Sequence, residues 1–193
     1  MKRIMCISLI LILLTPITSF AKQTAFSGSG DDVISIGSIK DGYVFYIEGN
    51  AQGNHFAIKA YDQKSNYLEL LVNTTDSYKG ITMDPSLETT MLEINASGSW
   101  KIELLPLSSL DMITPGQPYS GRGDTVLLLN SGGSIARIKG NSSENHFAVR
   151  SYSSTRTDLL VNTTDRYEGN VMLRSDPFIL EIKAVGDWSI DIN

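Results

Sequence analysis

The chain has 193 residues, a formal net charge of −5, 41% apolar and 19% charged residues, and one cysteine. The acidic balance argues against nucleic acid and anionic membrane surfaces as partners. A lone cysteine excludes an internal disulfide, so the fold must rest on buried apolar area, and the length suffices for one large domain or two small ones.

Residues 1–21 read as a secretory signal peptide. Lys2 and Arg3 make a positive start, the apolar run IMCISLILILL follows, Pro16 loosens the chain, and Ser19 and Ala21 occupy the −3 and −1 positions of a cleavage site. The run is too short and wrongly flanked for a membrane helix. Cys6 lies inside it without a lipobox, so no lipidation is expected. The mature chain from Lys22 has 172 residues, no cysteine, and 14 basic against 21 acidic side chains. With no second apolar segment or sorting signal in it, the expected product is periplasmic or secreted, with no membrane span.

Four blocks follow, and each returns in the same order. FSGSGDDVISI (26–36) returns as YSGRGDTVLLL (119–129), and IEGNAQGNHFAIKAY (47–61) as IKGNSSENHFAVRSY (138–152). LLVNTTDSYKG (70–80) returns as LLVNTTDRYEG (159–169), and MLEINASGSWKIEL (91–104) as ILEIKAVGDWSIDI (179–192). The offset drifts only from 93 to 88, which places the deletions in loops. This predicts tandem duplication of one unit, with a first domain over 22–105, a linker over 106–118 (PLSSLDMITPGQP) and a second domain over 119–193. Both histidines and both tryptophans fall at equivalent positions.

Within each copy the apolar period is 2. Phe56, Ile58 and Ala60 share one face of HFAIKAY, and Trp100, Ile102 and Leu104 alternate with Lys101 and Glu103. Such alternation, punctuated by Gly, Asn and Asp clusters, predicts half-buried antiparallel strands, six or seven per copy. The expected class is all-β: two tandem β-sandwiches of jelly-roll or immunoglobulin-like type. The final WSIDI is expected inside a sheet.

Together, SGSGDDV, GNHFAIKAY, LLVNTTDSY and the closing Gly-x-Trp-x-Ile resemble an uncharacterised tandem domain of secreted and surface proteins of bacteria. In that pattern GxGDDV, GNxxGxHFxV, LLVNTTxPYxG and GxWxI recur in this order, usually twice. Here Ser77 and Arg166 stand where the pattern usually has Pro. More distantly, GSWKIEL looks like the last strand of jelly-roll accessory domains attached to secreted proteases. The resemblance implies the fold and export; it implies no reaction.

The candidate ligand-binding residues are His55, Asn73, Thr74, Asp76 and Tyr78, with their counterparts His146, Asn162, Thr163, Asp165 and Tyr167. Two readings stand side by side. Asn, Thr and Asp close turns through their side chains, and each His would bond across a strand end. Alternatively, amide, hydroxyl, carboxylate and ring together suit sugar recognition. One His per domain supplies no intradomain metal pair, so no metal site is assigned, and no nucleophile-elbow motif occurs, so no enzyme is expected. No cofactor is expected beyond a Ca²⁺ option at Asp31, Asp32 and Asp124, which lack the six to eight oxygens required. The RGD at 122–124 coincides with a framework position and is read as accidental.

Residues 27–107 carry 5 basic and 11 acidic side chains, and residues 119–193 carry 8 and 9. The copies thus keep their motifs and differ on their surfaces, by drift or because the Arg-rich copy faces a partner. The expected function is a secreted, non-catalytic binding module for carbohydrate or cell-envelope glycan, its two weak sites gaining avidity. The alternative is an envelope or extracellular protein-interaction or structural accessory protein, of inhibitor or immunity type, using sandwich faces and edges.

Overall fold

The computed structural model describes residues 24–38, 42–130, 134–142 and 144–193. The expected signal peptide lies outside the described residues. The first eight strands are β1 (Ala25–Ser29), β2 (Asp32–Ser35), β3 (Tyr43–Gly49), β4 (Phe56–Tyr61), β5 (Tyr67–Thr74), β6 (Tyr78–Thr82), β7 (Met91–Ala96) and β8 (Ser99–Pro106). They form two antiparallel sheets, β1-β8-β3-β6 over β2-β7-β4-β5. This is the strand order of a jelly roll. Eight strands replace the six or seven expected, because the opening block turns a corner. At Gly30, with φ of 78°, the chain leaves β1 in one sheet and enters β2 in the other. Asp31 Oδ1 pins that corner by accepting the Ala96 N–H at 2.9 Å.

The remaining strands are β9 (Met112–Ile113), β10 (Tyr119–Arg122), β11 (Thr125–Leu129), β12 (Ile135–Gly140), β13 (Phe147–Tyr152), β14 (Thr157–Thr163), β15 (Tyr167–Met172), β16 (Ile179–Ala184) and β17 (Asp187–Ile192). Their sheets are β10-β17-β12-β15 and β14-β13-β16-β11-β9. Apart from β9, the order repeats that of the first eight strands. The final strand β17 lies between β10 and β12, so the last residues are internal to a sheet.

The segment expected as a linker is more than a tether. It forms a 3₁₀ turn (Leu107–Ser109) and β9, which pairs in parallel with β11, and it buries Leu110 and Ile113. Its Pro, Ser and Gly content masks these two apolar anchors.

Each sandwich has its own core, and the repeated glycines explain how the core closes. A Cβ on Gly49 would lie 2.1 Å from the Phe56 ring, and one on Gly28 would lie 2.4 Å from the Trp100 ring. Gly140 and Phe147, and Gly121 and Trp188, repeat both relationships at 2.6 and 2.4 Å. An aromatic ring thus lies flush on a bare strand backbone. Trp100 and Trp188 also donate their indole N–H groups to the carbonyls of Gly30 and Gly123, at 3.0 and 2.9 Å. Burying a ring of this size removes on the order of 200 Å² from water.

A third apolar cluster lies between the sandwiches. It joins Val44, Met83 and Leu110 to Val126, Tyr152 and Ile179, with Ile81, Leu87 and Leu128 packed around them. The outward residues of β13 and β16 alternate with the inward Val149 and Ile182 of the second core. The β6 edge of the first sandwich therefore lies on the outer face of the second sandwich's larger sheet.

Candidate functional site

His55, just before β4, and Asn73, on β5, are neighbours because Ala57 pairs with Asn73 across the two strands. The His55 ring Nε2 bonds the Asn73 Oδ1 at 3.0 Å, and His146 bonds Asn162 likewise at 3.2 Å. Thr74 Oγ1 accepts the Asp76 N–H at 3.0 Å, and Thr163 accepts from Asp165 at 3.0 Å. These hydroxyls close the turns that start β6 and β15.

Tyr78 and Tyr167 lean on Phe56 and Phe147, with ring centroids 6.5 and 6.4 Å apart. Their hydroxyl surroundings differ. Tyr78 donates to Asp124 Oδ2 at 2.8 Å, across the junction between the sandwiches. Burial, reinforced by the Asp124 charge, pushes the Tyr78 hydroxyl far above the usual phenol range. Among the described residues, Tyr167 makes no such cross-junction bond, while both tyrosines line a hollow of their own sandwich, Tyr78 beside Gly49 and Tyr167 beside Gly140.

The two predicted sets therefore do not form two equivalent pockets. A cleft of about 510 Å³ between the sandwiches is lined by Asn73, Thr74 and Tyr78 from the first set but only His146 from the second. Neither His55 nor Asp76 lines it, and Asn162, Thr163 and Asp165 line neither the cleft nor the hollow. The equivalence of the sets holds in their local bonds and fails at the cleft, because there one sandwich offers its edge and the other its face.

Sequence reasoning missed the charged groups of this cleft. Lys183 Nζ donates to Leu71 O at 3.1 Å and to Thr82 Oγ1, and lies 3.6 Å from both Asp124 Oδ2 and Glu181 Oε1. Glu181 is buried; it accepts from Tyr152 OH at 2.7 Å and pairs with Arg150 at 3.5 Å. Burial raises the Glu69 carboxyl, and Glu181 adds to the rise. These groups answer one another across the junction. A signal was present: Lys183 stands where the first copy has Asn95, and Thr82 where the second has Val171. The differences between copies, rather than the identities, marked the junction.

The hollow beside Tyr167 measures about 650 Å³ and is floored by Gly121 and Gly140, with Arg122, Arg166 and Trp188 around it. A smaller counterpart of about 390 Å³ lies over Gly49, Lys79 and Trp100. Lys139 and Arg137 beside Glu168 hold its carboxyl below the usual carboxylate range.

The Asp residues considered for Ca²⁺ have another task. Asp31 and Asp124 each use Oδ1 to accept a backbone N–H, from Ala96 and Ala184, at 2.9 and 2.8 Å. Asp32 Oδ1 turns onto the Val33 N–H at 2.8 Å. Among the described residues, no three His, Cys, Asp or Glu side chains gather in a metal-holding arrangement. A scan against family models and a search of curated proteins each return no match.

Proposed function

We propose that the protein is a non-catalytic protein-interaction component of the periplasm or extracellular space, binding through sandwich edges and faces. One contrast carries the reading. The repeated polar residues are spent on each other and on turns, while large apolar residues stand in water on strands. Val33 on β2 is 59% exposed and Met172 on β15 is 62% exposed. Exposed apolar strand surface is characteristic of interaction sites. The predicted signal peptide and the resemblance to secreted bacterial domains support the compartment.

Photocrosslinking from a reactive residue placed at position 172, in cells that export the protein, tests this. A discrete protein adduct is the expected result. Its absence, together with reproducible glycan-array binding, would replace this reading with the lectin-like one. That second reading draws on the hollow where Arg122 and Arg166 flank Tyr167 and Trp188, and it requires the glycan signal to vanish in Arg166→Ala.

A further inference from the structure

The junction inside the chain is made by one edge and one face. On the edge, Val44 and Met83 are buried, and Gly80 lets β6 close onto Asp124, since a Cβ there would lie 2.9 Å from the Asp124 Cβ. Ile81 N–H donates to Asp124 O at 3.0 Å. On the face, Val126 and Ile179 are buried.

Because the motifs repeat, each sandwich carries both surfaces, and the chain uses only one of each. On the unused edge, Ile135 and Met172 replace Val44 and Met83; they are 46% and 62% exposed where their counterparts are 0% and 1%. Gly169 replaces Gly80, and the nearest atoms a Cβ there would meet belong to Tyr167 of its own strand. On the unused face, Val33 is 59% exposed where Val126 is 1%. A Cβ on Gly123 would meet the Lys79 carbonyl at 3.4 Å, whereas one on Gly30 would meet nothing within 4 Å. The unused face also keeps its polar anchor. Glu93 binds Tyr61 OH at 2.6 Å and Lys59 at 3.0 Å, as Glu181 binds Tyr152 and Arg150.

Resting on the interaction reading above, we propose that the partner is a second copy of this chain, docked head to tail. The β14–β15 edge of one molecule lies on the β2–β7–β4 face of the next, repeating the junction within the chain. Tyr167 then donates to Asp31 of the next copy as Tyr78 does to Asp124, and Met172 packs on Val33. The edge-bearing sandwich is near neutral and the face-bearing one strongly acidic, with 8 basic and 9 acidic residues over 119–193 against 5 and 11 over 27–107. Like-charge repulsion across the contact is therefore small.

Several differences make this contact weaker than the internal one: Ile81 and Leu128, which pack in the internal junction, have the polar counterparts Asn170 and Ser35. The lysine-to-threonine tie is absent, with Asn95 and Val171 in those places, and no connecting segment adds a Leu110. The association is therefore reversible and concentration-dependent. An edge-to-face contact leaves one edge and one face open, so it extends to a ring or a filament instead of stopping at a dimer.

Sedimentation velocity of the purified protein from about 1 µM to about 1 mM tests this range of affinity. The expected result is a weight-average sedimentation coefficient that rises past that of a dimer. Val33→Arg and Met172→Arg should each sediment as a monomer, while an equimolar mixture of the two should form a dimer and stop there. Circular dichroism confirms the fold of each variant, and Ile135→Glu serves as a second edge variant. A wild-type chain that stays monomeric throughout overturns the proposal, as does association unaffected by both substitutions. A monomeric chain whose position-172 crosslink captures a different protein sinks self-association and leaves the interaction reading standing. A monomeric chain with no adduct sinks both.

Discussion

Tyr78 in the first sandwich donates its hydroxyl to Asp124 Oδ2 in the second at 2.8 Å, while Asp124 Oδ1 holds the Ala184 N–H at 2.8 Å. One carboxylate thus fastens a corner of its own sandwich and the neighbouring sandwich at once. Tyr78→Phe keeps the packing on Phe56 and removes a hydrogen bond to a charged acceptor, which is worth about 2 kcal/mol. Tyr167→Phe, whose hydroxyl has no counterpart of the Tyr78–Asp124 bond, should cost near zero in dilute solution. Urea denaturation of both variants checks the difference, and equal losses would contradict it.

The glycine-aromatic contacts set a second expectation. Gly49→Ala brings a methyl group to within 2.1 Å of the Phe56 ring, and Gly140→Ala to within 2.6 Å of the Phe147 ring. Both rings are fully buried, so each substitution should destabilise by about 1–3 kcal/mol. Gly49→Ala should be the worse of the two. Calorimetric unfolding would show this as a lowered transition temperature.

Calcium should leave stability unchanged. Asp31 and Asp124 are committed to backbone N–H groups, and replacing those bonds with a cation would open the corners at Gly30 and Gly123. Thermal melts with added Ca²⁺ and with chelator should superimpose. A chelator-induced drop would restore the Ca²⁺ reading of these turns.

Glu69 gives a pH dependence with a definite sign. Burial raises its folded pKa above the unfolded value, so its charged form is disfavoured in the fold. Its contribution is fully present below the unfolded pKa of about 4.3 and is lost as pH rises through the folded value. Glu69→Gln should therefore melt above wild type at neutral pH, with the gap closing as pH falls to about 4. A gap that widens on acidification would show that Glu69 is stabilised as the carboxylate.

Much of the architecture was legible in order and period. Trp100, Ile102 and Leu104, and Trp188, Ile190 and Ile192, alternate in sequence and are buried as the alternation demands. The corner at Gly30 was hidden, because a Gly-Ser-Gly-Asp-Asp run looks like a turn before one strand and not like a crossing between sheets. The candidate polar residues were legible as turn chemistry. His55 and Asn73 are partnered by the pairing of β4 with β5, and Thr74 and Asp76 by a turn two residues long.

The sequence by itself determined strands, the repeat and the local pairs, because these depend on period-two patterning and on side chains that reach their own neighbourhood. Only the tertiary structure decided which edge meets which face, and so why Val126 is buried and Val33 exposed at matching positions. That choice depends on the combined fit of Gly80, Asp124, Lys183 and Thr82, residues scattered over both sandwiches and carrying no common period. A repeated motif preserves local bonds and packing; contacts between sandwiches follow from their placement in space.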